Sequence, residues 1–201
     1  MPTTRLEAFS DGVFAIAITI LVLDLRVPPP ALAHGGRLGH LLLGLWPNYA
    51  SYVVSFLVIG IIWVNHHGLF HHVGRVDRPL LFLNLLLLLF VVAIPFPTAV
   101  LAEYVNEGGP NSHAAAAAYS LTMLGMALSF GAVWIWAVRA RGLLAERVDP
   151  ATARATVARF TAGNLAYLAL VGLAFVSAPL MLVGHFLLAV YYVFNRLPDP
   201  S

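Results

Sequence analysis

Two groups of side chains in this chain have the types and spacing for chemistry. The first is rich in histidine: His66, His67, His71 and His72 fall within seven residues. On a helix His67 and His71, at i and i+4, stand one above the other, and neutral imidazoles in that register suit zinc or iron. The second is polar and lies near the amino terminus, where Arg5, Ser10 and Asp11 lead straight into an apolar stretch reaching Leu23. Ionisable groups at the mouth of an apolar segment position helices, relay protons or meet a permeating ion.

The metal reading requires convergence. A membrane di-iron desaturase brings several histidine boxes to one cytoplasmic site, whereas His34, His40, His113 and His185 are scattered singly. The topology derived below puts the first three toward the outside. His71 and His72 are therefore expected at the membrane interface, with no metal or other cofactor bound. Cysteine is absent, which removes disulfides, thiolate metal sites and cysteine nucleophiles. No nucleotide loop or serine-nucleophile motif occurs, and an enzyme is not expected.

The elements that must hold these residues are membrane helices. Soluble domains are about half apolar and about a quarter charged. Here 60% of residues are hydrophobic, 10% are charged, and mean hydropathy is +0.85. A water-soluble core of this length could not hide that much apolar surface, so lipid must cover some of it. The net charge is only +2, all eleven basic residues are arginine, and no basic cluster carries the interleaved aromatics of nucleic-acid binding. The first apolar stretch follows an acidic, polar segment and lacks a small-residue cleavage site, so it reads as a retained helix rather than a signal peptide.

About 20 apolar residues cross a hydrocarbon layer of about 30 Å. Six segments qualify: about Arg5–Val27, Pro47–Phe70, Leu80–Leu101, Ala114–Val138, Ala155–Val176 and the shorter Pro179–Phe194. The last boundary rests on Ser177-Ala178-Pro179, because proline disfavours helix in the residue before it; without it the count would be five. Arginine sets the orientation. Arg5, Arg75, Arg78, Arg139, Arg141, Arg147, Arg154, Arg159 and Arg196 lie on one side, against Arg26 and Arg37 on the other. The expected fold is an all-α membrane protein, one domain over residues 1–201, with six helices and both termini cytoplasmic.

The first helix is the unusual one. Thr4 and Glu7 have the spacing of a capping box, which starts the helix in the cytoplasm. Asp11 would cost up to about 3 kcal/mol near the centre of a span and less at the interface. Ile16, Ile20 and Leu23 stand at i, i+4 and i+7 and form one stripe, with Thr19 beside it. On spacing alone such a stripe is ordinary helix packing or a lipid-facing surface. Gly12, Ala15 and Ala17 permit close helix approach. Asp24 either raises the local cation concentration beyond the stripe or is a solvated helix end.

The stretch Arg5-Leu6-Glu7-Ala8-Phe9-Ser10-Asp11 resembles the Arg-x-x-x-Phe-Ser-Asp signature of the transmembrane-protein-175 family, the endolysosomal potassium channels and their prokaryotic relatives. The likeness continues through Gly12 to Leu23 and includes Trp63-x-Asn65-His66-His67. Length and helix count are similar to the single-repeat bacterial members. The resemblance implies a modestly potassium-selective cation channel in the cell membrane, a homotetramer in contact with lipid whose first helices line the pore. Carried over by position, the narrowest point falls at Ile16, with Thr19, Ile20 and Leu23 on further pore-facing positions. No Thr-Val-Gly-Tyr-Gly loop is present to supply a carbonyl filter. Arg5, Phe9, Ser10 and Asp11 would then be a structural motif of the first helix. Trp63, Asn65, His66, His67 and Asn84 are its possible polar partners, with the pairing left open.

A ring of four isoleucines has no charge and no ligand oxygen. An ion must shed part of its hydration there, and potassium holds water less tightly than sodium, so modest selectivity follows; a hydrophobic ring can also close by dewetting. Two alternatives share the topology. A proton-permeable channel needs only a transient water wire through the ring. A secondary transporter is opposed by the missing internal repeat and the lack of clear mid-membrane carboxylates beyond the first helix. Pro95 and Pro97 could break the third helix as in transporters, though a proline kink near its outer end is the commoner cause. Voltage sensing is not expected, since no helix carries arginine at every third position.

Overall fold

The computed structural model describes residues 3–32, 35, 37–140, 142–146 and 148–194, and within these every side chain but those of 150–156 and 158–162. His34, Arg141, Arg147 and Arg196, and the side chains of Arg154 and Arg159, thus lie outside the described residues. The helices are α1 (Thr4–Ile20), α2 (Leu38–Gly44), α3 (Trp46–His71), α4 (Arg78–Ala93), α5 (Pro95–Tyr104), α6 (Gly109–Arg139), α7 (Pro150–Ala174) and α8 (Ala178–Phe194). A tighter 3-10 turn, Leu21–Asp24, prolongs α1. Pro47, Pro79, Pro95, Pro110, Pro150 and Pro179 each sit in the first two positions of a helix. The first turn has no use for the missing N–H and gains from the fixed φ. Proline therefore punctuates this fold from α3 onward.

Among the described residues, four spans are long and apolar enough to cross a membrane: Thr4–Asp24, Trp46–His71, Arg78–Tyr104 and Gly109–Arg139. Among the described residues, Gly163–Ala174 and Ala178–Phe194 are shorter apolar helices. The third span, expected as one helix, is α4 and α5 joined through Ile94. Pro95 cannot donate to Val91, and the strand of bonds is re-formed by Ile94 N–H donating to Val91 O at 3.2 Å and Thr98 N–H to Ile94 O at 3.1 Å. Ile94 keeps helical angles, φ −53° and ψ −42°. The span stays helical through Ile94 and is not unwound there. Helix α2, in the loop before α3, was not expected.

In lipid, helices associate through close packing and hydrogen bonds and not through the hydrophobic effect. Gly125 of α6 meets this demand: a methyl group there would collide with the ring of Phe90 on α4. Buried hydroxyls supply the second ingredient. The Ser55 hydroxyl lies 2.8 Å from that of Thr98 and 3.0 Å from that of Tyr119, which ties α3, α5 and α6 together. His185 of α8 is buried between Tyr119 and Tyr167, ring centres 5.1 and 5.9 Å away, and its Nδ1–H donates to Met181 O at 3.1 Å.

The loops after α3 and α6 clasp one another. Gly74 N–H and Ala145 N–H donate to Leu143 O at 2.8 Å and His72 O at 3.0 Å respectively, flanking a bridge between Val73 and Leu144. At the opposite end of the spans, Arg26 pairs with Glu103 at 3.0 Å. Of these four long spans α6 is the most buried and α1 the least. Most of the surface of α1 is left free.

Candidate functional site

Helix α1 has two faces. Leu6, Ser10, Phe14, Ala17 and Leu21 recur every three or four residues and are buried against α3 and α4. On the other side Phe9, Gly12, Ile16, Thr19, Ile20 and Leu23 are exposed. The contrast is steep: Ile16 is 59% exposed and Leu23 77%, against 2% for Phe14 and 1% for Ala17. At 1.5 Å per residue the exposed aliphatic strip from Ile16 to Leu23 is about 10 Å long. The Thr19 hydroxyl does not break its apolar character, because it donates back to the carbonyls of Ala15 and Ile16, each at 2.9 Å.

The buried face is held by polar contacts in two directions. The Asn84 amide donates to Ser10 Oγ at 3.0 Å, and its oxygen accepts from His66 Nε2 at 2.8 Å. All three are buried, at 0% exposure for Ser10 and Asn84 and 1% for His66. The His66 ring is packed between Phe14 and Phe70, with centroids 5.3 and 4.6 Å away. One residue along, Asp11 turns toward α3 and accepts from Trp63 Nε1 at 2.8 Å. A buried polar group without a partner is costly, and this chain of bonds satisfies each member.

Of the residues expected from the sequence, Ser10, His66 and Asn84 thus meet in one cluster, and Asp11 meets Trp63. Arg5, Phe9 and His67 are exposed and Asn65 is half-buried, all outside that cluster. His72 is buried, its Nδ1–H donating to Gly68 O at 2.7 Å and its ring edge-on to Trp134 at 5.9 Å; His71 is exposed. Among the described residues no three histidine or carboxylate side chains converge to hold a metal ion. At the far end of the strip, Asp24 has one buried carboxylate oxygen with no hydrogen-bond partner among the described residues.

Two contacts escaped sequence reasoning. Asp77 caps α4 by accepting from Leu80 N–H at 2.9 Å, and it also accepts from Trp136 Nε1 at 3.1 Å. The Asp-Arg-Pro order at 77–79 signals the cap, but nothing local points to a tryptophan 59 residues away. The Ser55–Thr98–Tyr119 cluster likewise had only the presence of hydroxyls in three apolar segments as its signal.

The family described as endosomal/lysosomal potassium channel TMEM175 matches residues 5–95, the part that contains both polar contacts and the aliphatic strip. A Streptomyces collinus protein named a potassium channel is 60% identical over 198 residues, 98% of this chain and 94% of that one. The chain superposes with a TM-score of 0.86 on the crystal structure of a lysosomal potassium-selective channel TMEM175 homolog from Chamaesiphon minutus, at 39% identity and 96% coverage of both chains. A Gallus gallus protein named endosomal/lysosomal proton channel TMEM175 is 35% identical over 140 residues, 67% of this chain and 28% of that protein.

Proposed function

This chain belongs to the TMEM175 family, and from that premise we propose that it is a potassium channel whose pore is lined by α1 of four identical subunits. It is a multi-pass membrane channel and not an enzyme. The observation that carries the pore assignment is the uncovered aliphatic strip of α1, backed by a face locked to α3 and α4. Four such strips around one axis make a passage about 10 Å long with Ile16 at its narrow point and Leu23 at its outer mouth. The Ile16 side chains offer the ion no oxygen. Potassium, which gives up water more readily than sodium, crosses such a ring at lower cost, and dewetting of the ring closes it.

Six membrane spans per subunit accompany this reading: α1 with its 3-10 extension, α3, α4–α5, α6, α7 and α8. Both termini lie in the cytoplasm and the assembly sits in the cell membrane. The arginines at 5, 75, 78 and 139 support that orientation. Reconstituted liposomes test the function. With opposed potassium and sodium gradients the reversal potential follows potassium, and Ile16→Asn, which wets the ring, moves it toward zero. An unchanged reversal potential in that variant removes Ile16 as the filter.

Proton permeation is a second reading, favoured by the name of the vertebrate relative. A reversal potential that follows the pH gradient with potassium and sodium symmetric would select it. Secondary transport is disfavoured by the unbroken helical geometry at Ile94; saturating, stoichiometrically coupled flux would revive it.

A further inference from the structure

Arg5 and Ile16 stand about three turns apart on α1 and point in nearly the same direction. An assembly that turns Ile16 to its axis therefore brings the Arg5 guanidiniums to the cytoplasmic mouth of the pore. A ring of arginines favours anions and repels the cation that the passage must admit. Within one copy that charge is not balanced: Arg5 is exposed, and among the described residues no carboxylate pairs with it. The same copy holds a carboxylate in the same condition. Glu7 is half-buried in the first turn of α1, and among the described residues its side chain makes no hydrogen bond and no ion pair. The two residues are two positions apart, on different sides of the helix, and cannot meet within a chain.

The charges belong to opposite flanks of the subunit. Glu7 and Asp11, at i and i+4, share the side of α1 turned to α3, where Trp63 holds Asp11. The other flank meets α4, where Asn84 holds Ser10, and beside it lies an open groove with Arg5, Phe9, Arg78, Leu81, Phe82 and Leu85 on its walls. A cyclic ring of four identical subunits joins unlike patches, so the α4 flank of one copy faces the α3 flank of the next. We propose that Arg5 of each subunit pairs with Glu7 of the partner subunit, whose α3 edge closes the groove between α1 and α4. This rests on the four-subunit pore proposed above. Asp11 is the poorer partner for the arginine, because Trp63 already engages one of its oxygens. Four such pairs cancel the ring of positive charge at the mouth. A guanidinium fork on a carboxylate also fixes register, so the same contact aligns the aliphatic strips around the axis. A soluble anion or a lipid headgroup would neutralise Arg5 and leave Glu7 unanswered.

Charge reversal tests the pair in the full-length chain, purified in mild detergent, with its mass read by light scattering after gel filtration. The wild type runs as a tetramer. Arg5→Glu sets two carboxylates against each other at every interface and Glu7→Arg two guanidiniums, so each variant alone loses the tetramer. Co-expressed with different affinity tags, the two variants recover it as mixed tetramers that carry both tags, because every contact then joins opposite charges. A tetramer retained by either single variant overturns the proposal, and so does a mixture that yields no mixed tetramer. A second measurement leaves no like charges at the interface. The chain has no native cysteine, so Arg5→Cys/Glu7→Cys can be treated with a short bismaleimide in intact membranes. A denaturing gel then shows a ladder reaching four chains, whereas products that stop at the dimer mean that like faces meet and overturn the pair. A monomeric wild type removes the four-subunit pore together with the pair; a tetrameric wild type indifferent to charge reversal removes the pair alone.

Discussion

Asp11 and Trp63 join the first two long spans: the indole N–H of Trp63 donates to a carboxylate oxygen of Asp11 at 2.8 Å. The neighbouring Ser10 is held from a different direction, by Asn84 of α4 at 3.0 Å. Successive side chains on a helix point about 100° apart, as 3.6 residues per turn requires. Two adjacent residues anchored to two different helices therefore fix the rotation of α1 about its own axis. That rotation decides that Phe14 and Ala17 face inward and Ile16 and Leu23 outward. The polar motif and the aliphatic strip act as one device, in which the first sets the direction of the second.

The Asp11–Trp63 contact is tested by separating bond from charge. Trp63→Phe keeps the aromatic packing and removes the donor, and it should destabilise the protein by about 1–3 kcal/mol. Asp11→Asn retains an acceptor oxygen and should cost less than Asp11→Ala. Thermal unfolding in one detergent orders the three. If Asp11→Asn is as damaging as Asp11→Ala, the contribution is the charge and not the hydrogen bond.

Asn84 satisfies two buried partners and Ser10 only one. Asn84→Ala strands both Ser10 and His66, at about 1–3 kcal/mol for each unpaired group, so it should unfold at a lower temperature than Ser10→Ala. The double variant should be less damaging than the sum of the two, with a coupling of about 0.5–3 kcal/mol, because the contact is already lost. Additive effects would mean that the two side chains act independently.

Much of this was legible in the sequence. Apolar length located every helical segment but α2, and the Pro47, Pro79 and Pro179 starts fell within two residues of expectation, because proline marks a first turn by local sterics. Helix α6 begins at Gly109 and not near Ala114, since Gly108 and Gly109 take up φ of +69° and +64° and Pro110 follows in the first turn. Helix α2 was missed for its length of seven residues, too short for periodicity to register. Residues of the polar cluster were nameable from their types, but the pairing was not. Whether Asn84 or Asn65 faces Ser10 depends on the rotation of α3 and α4, which is set by packing across the whole span. Arg5 shares the motif's sequence, yet at position 5 the helix turn carries it to the exposed side, away from Ser10.

Packing between α4 and α6 depends on Gly125. Gly125→Leu forces its side chain into the Phe90 ring and should cost about 1–3 kcal/mol through overpacking. Adding Phe90→Ala should recover part of that loss, read as a partial return of the unfolding temperature. A Gly125→Leu variant as stable as the wild type would show that α4 and α6 are less closely held than the contact implies.

Thr19 stands on the exposed strip, but its hydroxyl is engaged by the Ala15 and Ile16 carbonyls. Thr19→Val preserves the shape and should leave the potassium-to-sodium permeability ratio unchanged, measured by reversal potential under bi-ionic conditions. A marked loss of selectivity would mean that the hydroxyl contacts the ion after all.

The most direct test of the central claim is thiol modification at Leu23 in a chain that has no cysteine of its own. Leu23→Cys is reconstituted in a planar bilayer and exposed to a membrane-impermeant, positively charged methanethiosulfonate reagent during potassium conduction. If four copies of α1 surround the pore, the current falls irreversibly as the label accumulates, while Leu128→Cys on the exposed side of α6 shows no loss. Full labelling of Leu23→Cys, verified by mass spectrometry, with an undiminished current would contradict the account.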